Sequence, residues 1–315
     1  MQQDKPFIIV IVGPTGVGKT ELSIKLAKEI NGEVISGDSM QVYKGMDIGT
    51  AKISVPEMEG ITHHMLDILM PDETFSAYDF KTRAQQLISE ITARGHVPII
   101  VGGTGLYIQS LIYDYAFQDE TITETKANEV EQRLTELEAL NNHDLHEYLK
   151  SFDPASAEAI HPNNRKRVVR AIQYYLKTEK LLSERKKVQQ FTENYDTLLL
   201  GMEMTRETLY ERINKRVDIM LRDGLLEEVQ QLVDKGYEEC QSMQAIGYKE
   251  IIPVVKGSVS LEEGTEKLKQ HSRNYAKRQM TWFKNKMNVH WLDKEKQSLF
   301  SIFDEISVLI QKRRR

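Results

Sequence analysis

The sequence predicts an α/β protein, a parallel sheet flanked by helices and interrupted by a helical insertion. Three observations carry that expectation. Residues 7–30 read as a buried strand (FIIVIV), a glycine-rich turn (GPTGVGKT) and a helix with Leu22, Leu26 and Ile30 on one face. Strand and helix patterns then alternate through residue 113, which implies parallel strands joined by crossover helices. From about 114 to 200 the strand pattern gives way to helical spacing, for example over 124–140 and 164–182. The expected organisation is therefore a first part of the core at 1–113, an insertion at 114–200 and the remainder of the core at 201–315.

Taken in order, the further strands are EVIS at 33–36 and PIIV at 98–101, with a helix at 77–93 before the latter. The segment 205–235 is helical; Thr205 can cap it, but Thr208 stands where a capping box needs Glu or Gln. Helices are also expected over 261–286 and 299–311, the last followed by a basic KRRR tail.

The loop at 13–20 is a complete phosphate-binding motif in its required context, which makes the core P-loop NTPase-like. Gly13, Gly16 and Gly18 let the backbone turn its N–H groups toward an anion, with Pro14, Thr15 and Val17 between them. The helix N-terminus adds partial positive charge. Lys19 reaches the phosphate, and the Thr20 hydroxyl can ligate Mg²⁺. The motif alone does not say which phosphate is held, nor whether it is transferred or discarded.

Composition narrows the class. Apolar residues make up 40% of 315 residues, enough for a sizeable core, and no apolar run is long enough for a membrane span. The first strand begins almost at once, leaving no room for a signal peptide. Cys240 is the single cysteine, which excludes a disulfide framework or a cysteine-rich zinc site and suits a cytoplasmic protein. Net charge is −5, yet charge is segregated. Residues 115–161 carry eleven acidic and three basic side chains, residues 162–190 nine basic and two acidic, and residues 267–286 seven basic and no acidic. In the last stretch Lys269, Arg273, Lys277 and Lys284 fall on one side of a helix, with Tyr275, Trp282 and Phe283 among them. A basic helix with aromatics suits a polyanion partner, although a solvated helix with core aromatics reads the same way.

Three further segments carry candidate chemistry. The second strand runs into SGDSMQ, which places Asp38 at the carboxyl edge of the sheet beside the phosphate loop. A carboxylate there serves as a general base or a water-mediated Mg²⁺ ligand, and an Asp after a strand also commonly shapes a turn. Ser39, Met40 and Gln41 follow it, and Ser39 and Gln41 can hydrogen-bond a substrate. The third strand ends in VGGTG, with no Asp of the kind that holds Mg²⁺ in NTP-hydrolysing enzymes. Gly102 and Gly103 there would let a ligand approach the backbone, and Thr104 offers a hydroxyl. His63 and His64 cannot both face one ligand from a regular strand, so a structural role is expected for the pair. Arg165, Arg167 and Arg170 follow a Pro-Asn-Asn helix entry, and Arg167 and Arg170 lie about one turn apart, able to grip one anion.

Together these segments resemble the tRNA dimethylallyltransferases, in their bacterial form. The matching stretches are GPTGVGKT (13–20), SGDSMQVYKGMDIGTAK (36–52), HHMLDIL (63–69), IIVGGTGLYI (99–108), HPNNRKRVVRAI (161–172), QAIGYKE (244–250) and SRNYAKRQMTWF (272–283), in family order across nearly the whole chain. With a single cysteine, a zinc finger like that in the extension of eukaryotic relatives is not expected. The resemblance implies transfer of a dimethylallyl group from its diphosphate to N6 of adenosine 37, in tRNAs that read codons beginning with U. It implies Mg²⁺, and an anticodon stem-loop held by the insertion and the basic segments. Asp38 matches the general base. Thr104 matches a residue of the catalytic, tRNA-contacting site, and residues 38–41 match a substrate-contacting stretch. Lys126 stands where the family often has Arg. With Arg165, Arg167, Arg170, Arg273 and Lys277, it completes the residues expected to meet tRNA. A monomer is expected.

Two enzyme alternatives share the loop, a small-metabolite kinase and an adenylate isopentenyltransferase acting on a free nucleotide. An RNA-binding NTP switch is a third. The first two leave the basic segments unused, and the missing strand-end Asp speaks against the switch.

Overall fold

A computed structural model describes residues 5–113, 124–184 and 193–313. Strands β1 (Phe7–Val12), β2 (Gly32–Ser36), β3 (His63–His64), β4 (Val97–Gly102), β5 (Asp196–Glu203) and β6 (His290–Asp293) form one sheet in the order β3-β2-β4-β1-β5-β6. Every pairing is parallel, as expected. Val12 is level with Gly102 on one side and Gly201 on the other, and Ser36 is level with Val101. The loops leaving β1, β2 and β4 therefore emerge together at one edge.

Side chains of β1 alternate between two apolar layers. Ile8, Val10 and Val12 face a layer with Phe80, Ala84, Ile88 and Ile91 of α2 (Ala77–Ala93). Ile9 and Ile11 face Leu22 and Leu26 of α1 (Lys19–Ile30). Each such aliphatic side chain contributes about 1.5–3 kcal/mol when fully buried. Helix α2 starts at a capping box in which Ser76 Oγ accepts from the Asp79 amide and Asp79 Oδ2 accepts from the Ser76 amide. Helix α3 (Gly105–Ile112) follows β4.

The chain divides into two compact units, Met1–Tyr113 with Glu193–Arg315, and Asp114–Thr192. The second holds α4 (Glu124–Glu138), α5 (Asn142–Phe152), α6 (Pro154–Ala159) and α7 (Arg165–Thr178) around Leu145, Leu149, Val168 and Ile172. The return to the core comes earlier than the expected residue 201, because β5 starts at Asp196 and pairs with β1 along its length. Its run of Leu and Met, buried on both faces, has no alternation to mark it as a strand. Strand β6 was likewise not anticipated.

The core unit continues with α8 (Arg206–Arg222), α9 (Leu225–Asp234), α10 (Ile252–Val255), α11 (Leu261–Lys286) and α12 (Leu299–Arg313). Thr205 caps α8 by accepting from the Thr208 amide, without a capping box. A further apolar layer, including Val42, Tyr43, Met46, Val217, Val229 and Tyr248, fixes the 40–51 segment against α8 and α9. Glu228 pins that segment: its carboxylate accepts from the amides of Asp47, Ile48 and Gly49 and from the Tyr248 hydroxyl, at 2.7–3.0 Å. Among the described residues no helix is long and apolar enough to cross a membrane.

Candidate active site

The phosphate loop takes the conformation its glycines allow, with φ of +145° at Gly13, +83° at Gly16 and +102° at Gly18. A side chain at Gly13 would also press on the Met202 carbonyl of β5. Gly18 leads directly into α1, so the first N–H groups of that helix, which have no intrahelical acceptor, close the loop.

A cavity of about 410 Å³ lies against this loop. It is lined by Thr15, Lys19 and Thr20 from the loop and α1, and by Asp38, Ser39, Met40 and Gln41 from the turn after β2. Three of the expected loop residues thus meet all four expected turn residues in one place, while Gly13, Pro14, Gly16, Val17 and Gly18 are not among its lining. Arg216 of α8 and Tyr275, Arg278 and Gln279 of α11 complete its polar wall. Sequence reasoning missed Arg216 and Gln279, and it placed Tyr275 only among the aromatics of a basic helix.

Asp38 does two things at once. Its Oδ1 accepts from the Met40 amide at 2.9 Å, shaping the turn, while the carboxylate borders the cavity. Its negative charge acts on the surrounding groups. Burial holds the Lys19 ammonium down at about 8, opposed by Asp38 and reinforced by Arg216. Arg216 is also lowered by burial and supported by Asp38. The Tyr275 phenol is pushed up to about 12, chiefly by burial and then by Asp38. Lys19, Arg216 and Asp38 therefore share a poorly solvated space, where charge interactions are stronger than in water.

Lys19 Nζ donates to the Gly13 and Pro14 carbonyls at 2.9 and 3.0 Å. Arg216 donates to Thr15 Oγ1 at 3.1 Å and to the Thr50 carbonyl at 3.4 Å. Gln41 reaches Thr50 and Ala51 from the other side, and Ser36 Oγ donates to Gln41 Oε1 at 3.1 Å. The segment pinned by Glu228 thus holds the side chains that face Asp38.

The strand end at Gly102 and Gly103 differs from expectation. A side chain at Gly102 would collide with the Gly37 backbone, one at Gly103 with Gln279, and one at Gly105 with Trp282. These glycines let the turn after β2 and helix α11 pack directly against the end of β4, although Gly102 and Gly103 also border the cavity. Thr104 sits at the N-cap of α3 without a capping bond. Its hydroxyl is buried without a well-formed hydrogen bond, beside the Tyr275 phenol.

The two histidines diverge. His64 Nε2 meets Glu33 at 2.6 Å, in a cluster with Arg94 and His96 that holds the Glu33 carboxyl down at about 2 despite the opposing effect of its burial. His63 instead lines the cavity; its Nδ1 donates to the Ile61 carbonyl and its buried Nε2 has no partner. Burial lowers the His63 pKa. Among the described residues no cluster of three His, Cys, Asp or Glu could hold a metal.

The residues expected to meet tRNA are placed variously. Arg273 is part-buried and donates to Asn214 Oδ1 at 2.7 Å, while Lys277 is exposed. In the helical unit Lys126 pairs with Glu179 at 2.9 Å. Arg165 donates to the Leu140 carbonyl and Asn142, and Arg167 and Arg170 are exposed. Of the basic run at 162–190, Arg185, Lys186 and Lys187 lie outside the described residues.

The family described as IPP transferase matches residues 41–286. The chain belongs to the IPP transferase family of enzymes. A curated tRNA dimethylallyltransferase of Staphylococcus saprophyticus is 74% identical over 314 residues and is covered in full, as is this chain. A crystal structure of tRNA delta(2)-isopentenylpyrophosphate transferase from Staphylococcus epidermidis is 70% identical, covers 98% of this chain and 100% of its own, and superposes with a TM-score of 0.73. A eukaryotic dimethylallyltransferase acting on tRNA is 34% identical, with a TM-score of 0.81 over 95% of this chain and 77% of its own. The parallel sheet with its phosphate loop is therefore the P-loop NTPase-like fold of IPP transferases.

Proposed function

We propose that this IPP transferase moves a dimethylallyl group from dimethylallyl diphosphate to N6 of adenosine 37, in tRNAs that read codons beginning with U. The observation that carries the reading is that Lys19, Arg216 and Asp38 border one cavity, where the carboxylate acts on both cations. Cations beside the loop suit a departing diphosphate, and a carboxylate in the same cavity suits an amine that must lose a proton. In the reaction the N6 lone pair forms a bond to the allylic carbon. The carbon–oxygen bond breaks with its electrons going to the diphosphate, and the N6 proton passes to the Asp38 carboxylate. An aryl amine is a weak nucleophile, so alignment and proton acceptance supply much of the rate.

Tyr275 lines the cavity, and its phenol lies beside the buried Thr104 hydroxyl. Gln41 and Ser39 can fix the adenine edge. The base has to leave its stack to reach this position, and the rest of the anticodon stem-loop is held through phosphates and splayed bases. Arg167, Arg170 and Lys277 are exposed cations suited to that contact.

Mg²⁺ fits the oxygen donors present. The Thr20 hydroxyl and Asp38 carboxylate border the same cavity, and this ion typically takes one or two protein oxygens with waters and substrate phosphates. Bound there, it supplies further neutralisation of the diphosphate charge.

The test supplies Mg²⁺ and labelled dimethylallyl diphosphate with undermodified tRNA, AMP or ATP. Label entering tRNA at adenosine 37 is the expected result. Label on AMP but not on tRNA contradicts the macromolecular acceptor, and ATP hydrolysis without prenyl transfer contradicts the diphosphate reading.

A further inference from the structure

Gln279 is buried in the C-terminal third of α11, among basic residues, yet it carries no charge. Its Oε1 accepts from the Thr15 amide at 2.9 Å, and its Nε2 donates to the Gly103 carbonyl at 3.0 Å. One side chain thus ties the phosphate loop to the end of β4. Gly103 has room for no Cβ because Gln279 occupies that space.

The contact falls on a particular half of the loop. Lys19 holds the Gly13 and Pro14 carbonyls, Gln279 takes the Thr15 amide and Arg216 takes the Thr15 hydroxyl. Thr15 is therefore held by protein groups at both its amide and its hydroxyl. Over residues 16–20 no side chain accepts from a backbone amide among the described residues; the Val17 amide donates to the Pro14 carbonyl at 3.4 Å, while the first amides of α1 have no intrahelical acceptor.

We propose that Gln279 is a positioning and selectivity residue: by capping the Thr15 amide against Gly103, it confines anion binding to the trailing half of the loop. The site then accepts two phosphoryl groups and disfavours a third. This rests on the reading of the loop as a diphosphate cradle. It also assigns α11 a role beyond charge, since the helix that lines the cavity through Tyr275 sets the loop's shape one turn further on.

The test measures binding of inorganic diphosphate and inorganic tripolyphosphate, each with Mg²⁺, to the full chain and to Gln279→Ala and Gln279→Glu. The wild type is expected to favour diphosphate by at least about tenfold. Gln279→Ala is expected to lose about tenfold in diphosphate affinity and to narrow the preference below about threefold, while tRNA affinity stays within about twofold. Gln279→Glu keeps an acceptor for the Thr15 amide and loses the donor to Gly103, so it should bind both anions more weakly with the preference retained. That variant matches the native side chain in size and serves if the alanine variant fails to fold: loss of the preference in Gln279→Glu would overturn the proposal. So would both variants binding the two anions more weakly with an unaltered ratio, which a packing role alone predicts. A wild type that binds neither anion would instead overturn the diphosphate reading itself.

Discussion

Two helices of this protein, α7 and α11, look alike in composition and are used in opposite ways. Both are basic. In α11 the charge is largely turned onto the protein. Lys269 pairs with Asp218, Arg273 with Asn214 and Lys284 with Glu203, while the stripe facing the cavity is Tyr275, Arg278 and Gln279. In α7 Arg165 is tied to the backbone of its own unit through Leu140, while Lys166, Arg167 and Arg170 are exposed, with no ion pair among the described residues. A count of lysines and arginines therefore measures available charge poorly. What decides is whether the neighbouring element carries an acceptor at the right height.

The contrast can be broken or sharpened by substitution. The largest effect is expected at the cavity, where Arg216→Ala should lower kcat/KM for dimethylallyl diphosphate by about 10²–10³-fold, as loss of a preorganised cation at a leaving group typically does. Steady-state kinetics at saturating tRNA check this, and a change below about threefold would remove Arg216 from the diphosphate site. Next comes the exposed helix. The double variant Arg167→Ala with Arg170→Ala should weaken tRNA binding and reduce the slope of log affinity against log salt by about 1.4–1.8, with kcat unaltered. An unaltered slope would mean that α7 does not meet phosphate.

Arg273→Ala should lower thermal stability by about 0.5–3 kcal/mol through its lost bond to Asn214, while leaving the salt slope close to wild type. A slope reduced as much as in the α7 variant would erase the distinction between the helices. The smallest effect is a pH dependence. Lys19, held at about 8 in the free site, keeps its ammonium below that pH and loses it above. Diphosphate affinity should then fall as pH rises through about 8, although the anion itself becomes more charged over that range. Titration calorimetry checks the direction, and Lys19→Met should abolish the fall.

Much of this organisation was readable in the chain because local rules imposed it. Gly13, Gly16 and Gly18 must be glycine at positive φ, and the alternation from strand to helix through residue 113 dictates a parallel sheet. Asp38 could be placed because β2 ends just before it. What stayed hidden depends on partners distant in sequence. Arg216 lies 201 residues from the Thr15 it holds and Gln279 lies 264 from it, and neither spacing nor propensity reports such a meeting. A signal for Gln279 did exist: an uncharged residue four positions after Tyr275, on a helix side shared with buried Leu268 and Ala276. β5 was hidden for another reason, since a strand buried on both faces has no polar alternation. The glycines of VGGTG were seen, but their cause is packing by α11 as much as ligand approach.

In the proposed reaction Asp38 takes the proton of the acceptor amine in the same cavity that holds the departing diphosphate. Single-turnover prenyl transfer by Asp38→Asn, measured beside its tRNA dissociation constant, tests it most directly. The account predicts a rate lowered by about 10²–10⁴-fold with tRNA affinity within about threefold of wild type. A rate and an affinity that fall together, or a rate that hardly falls, would contradict it.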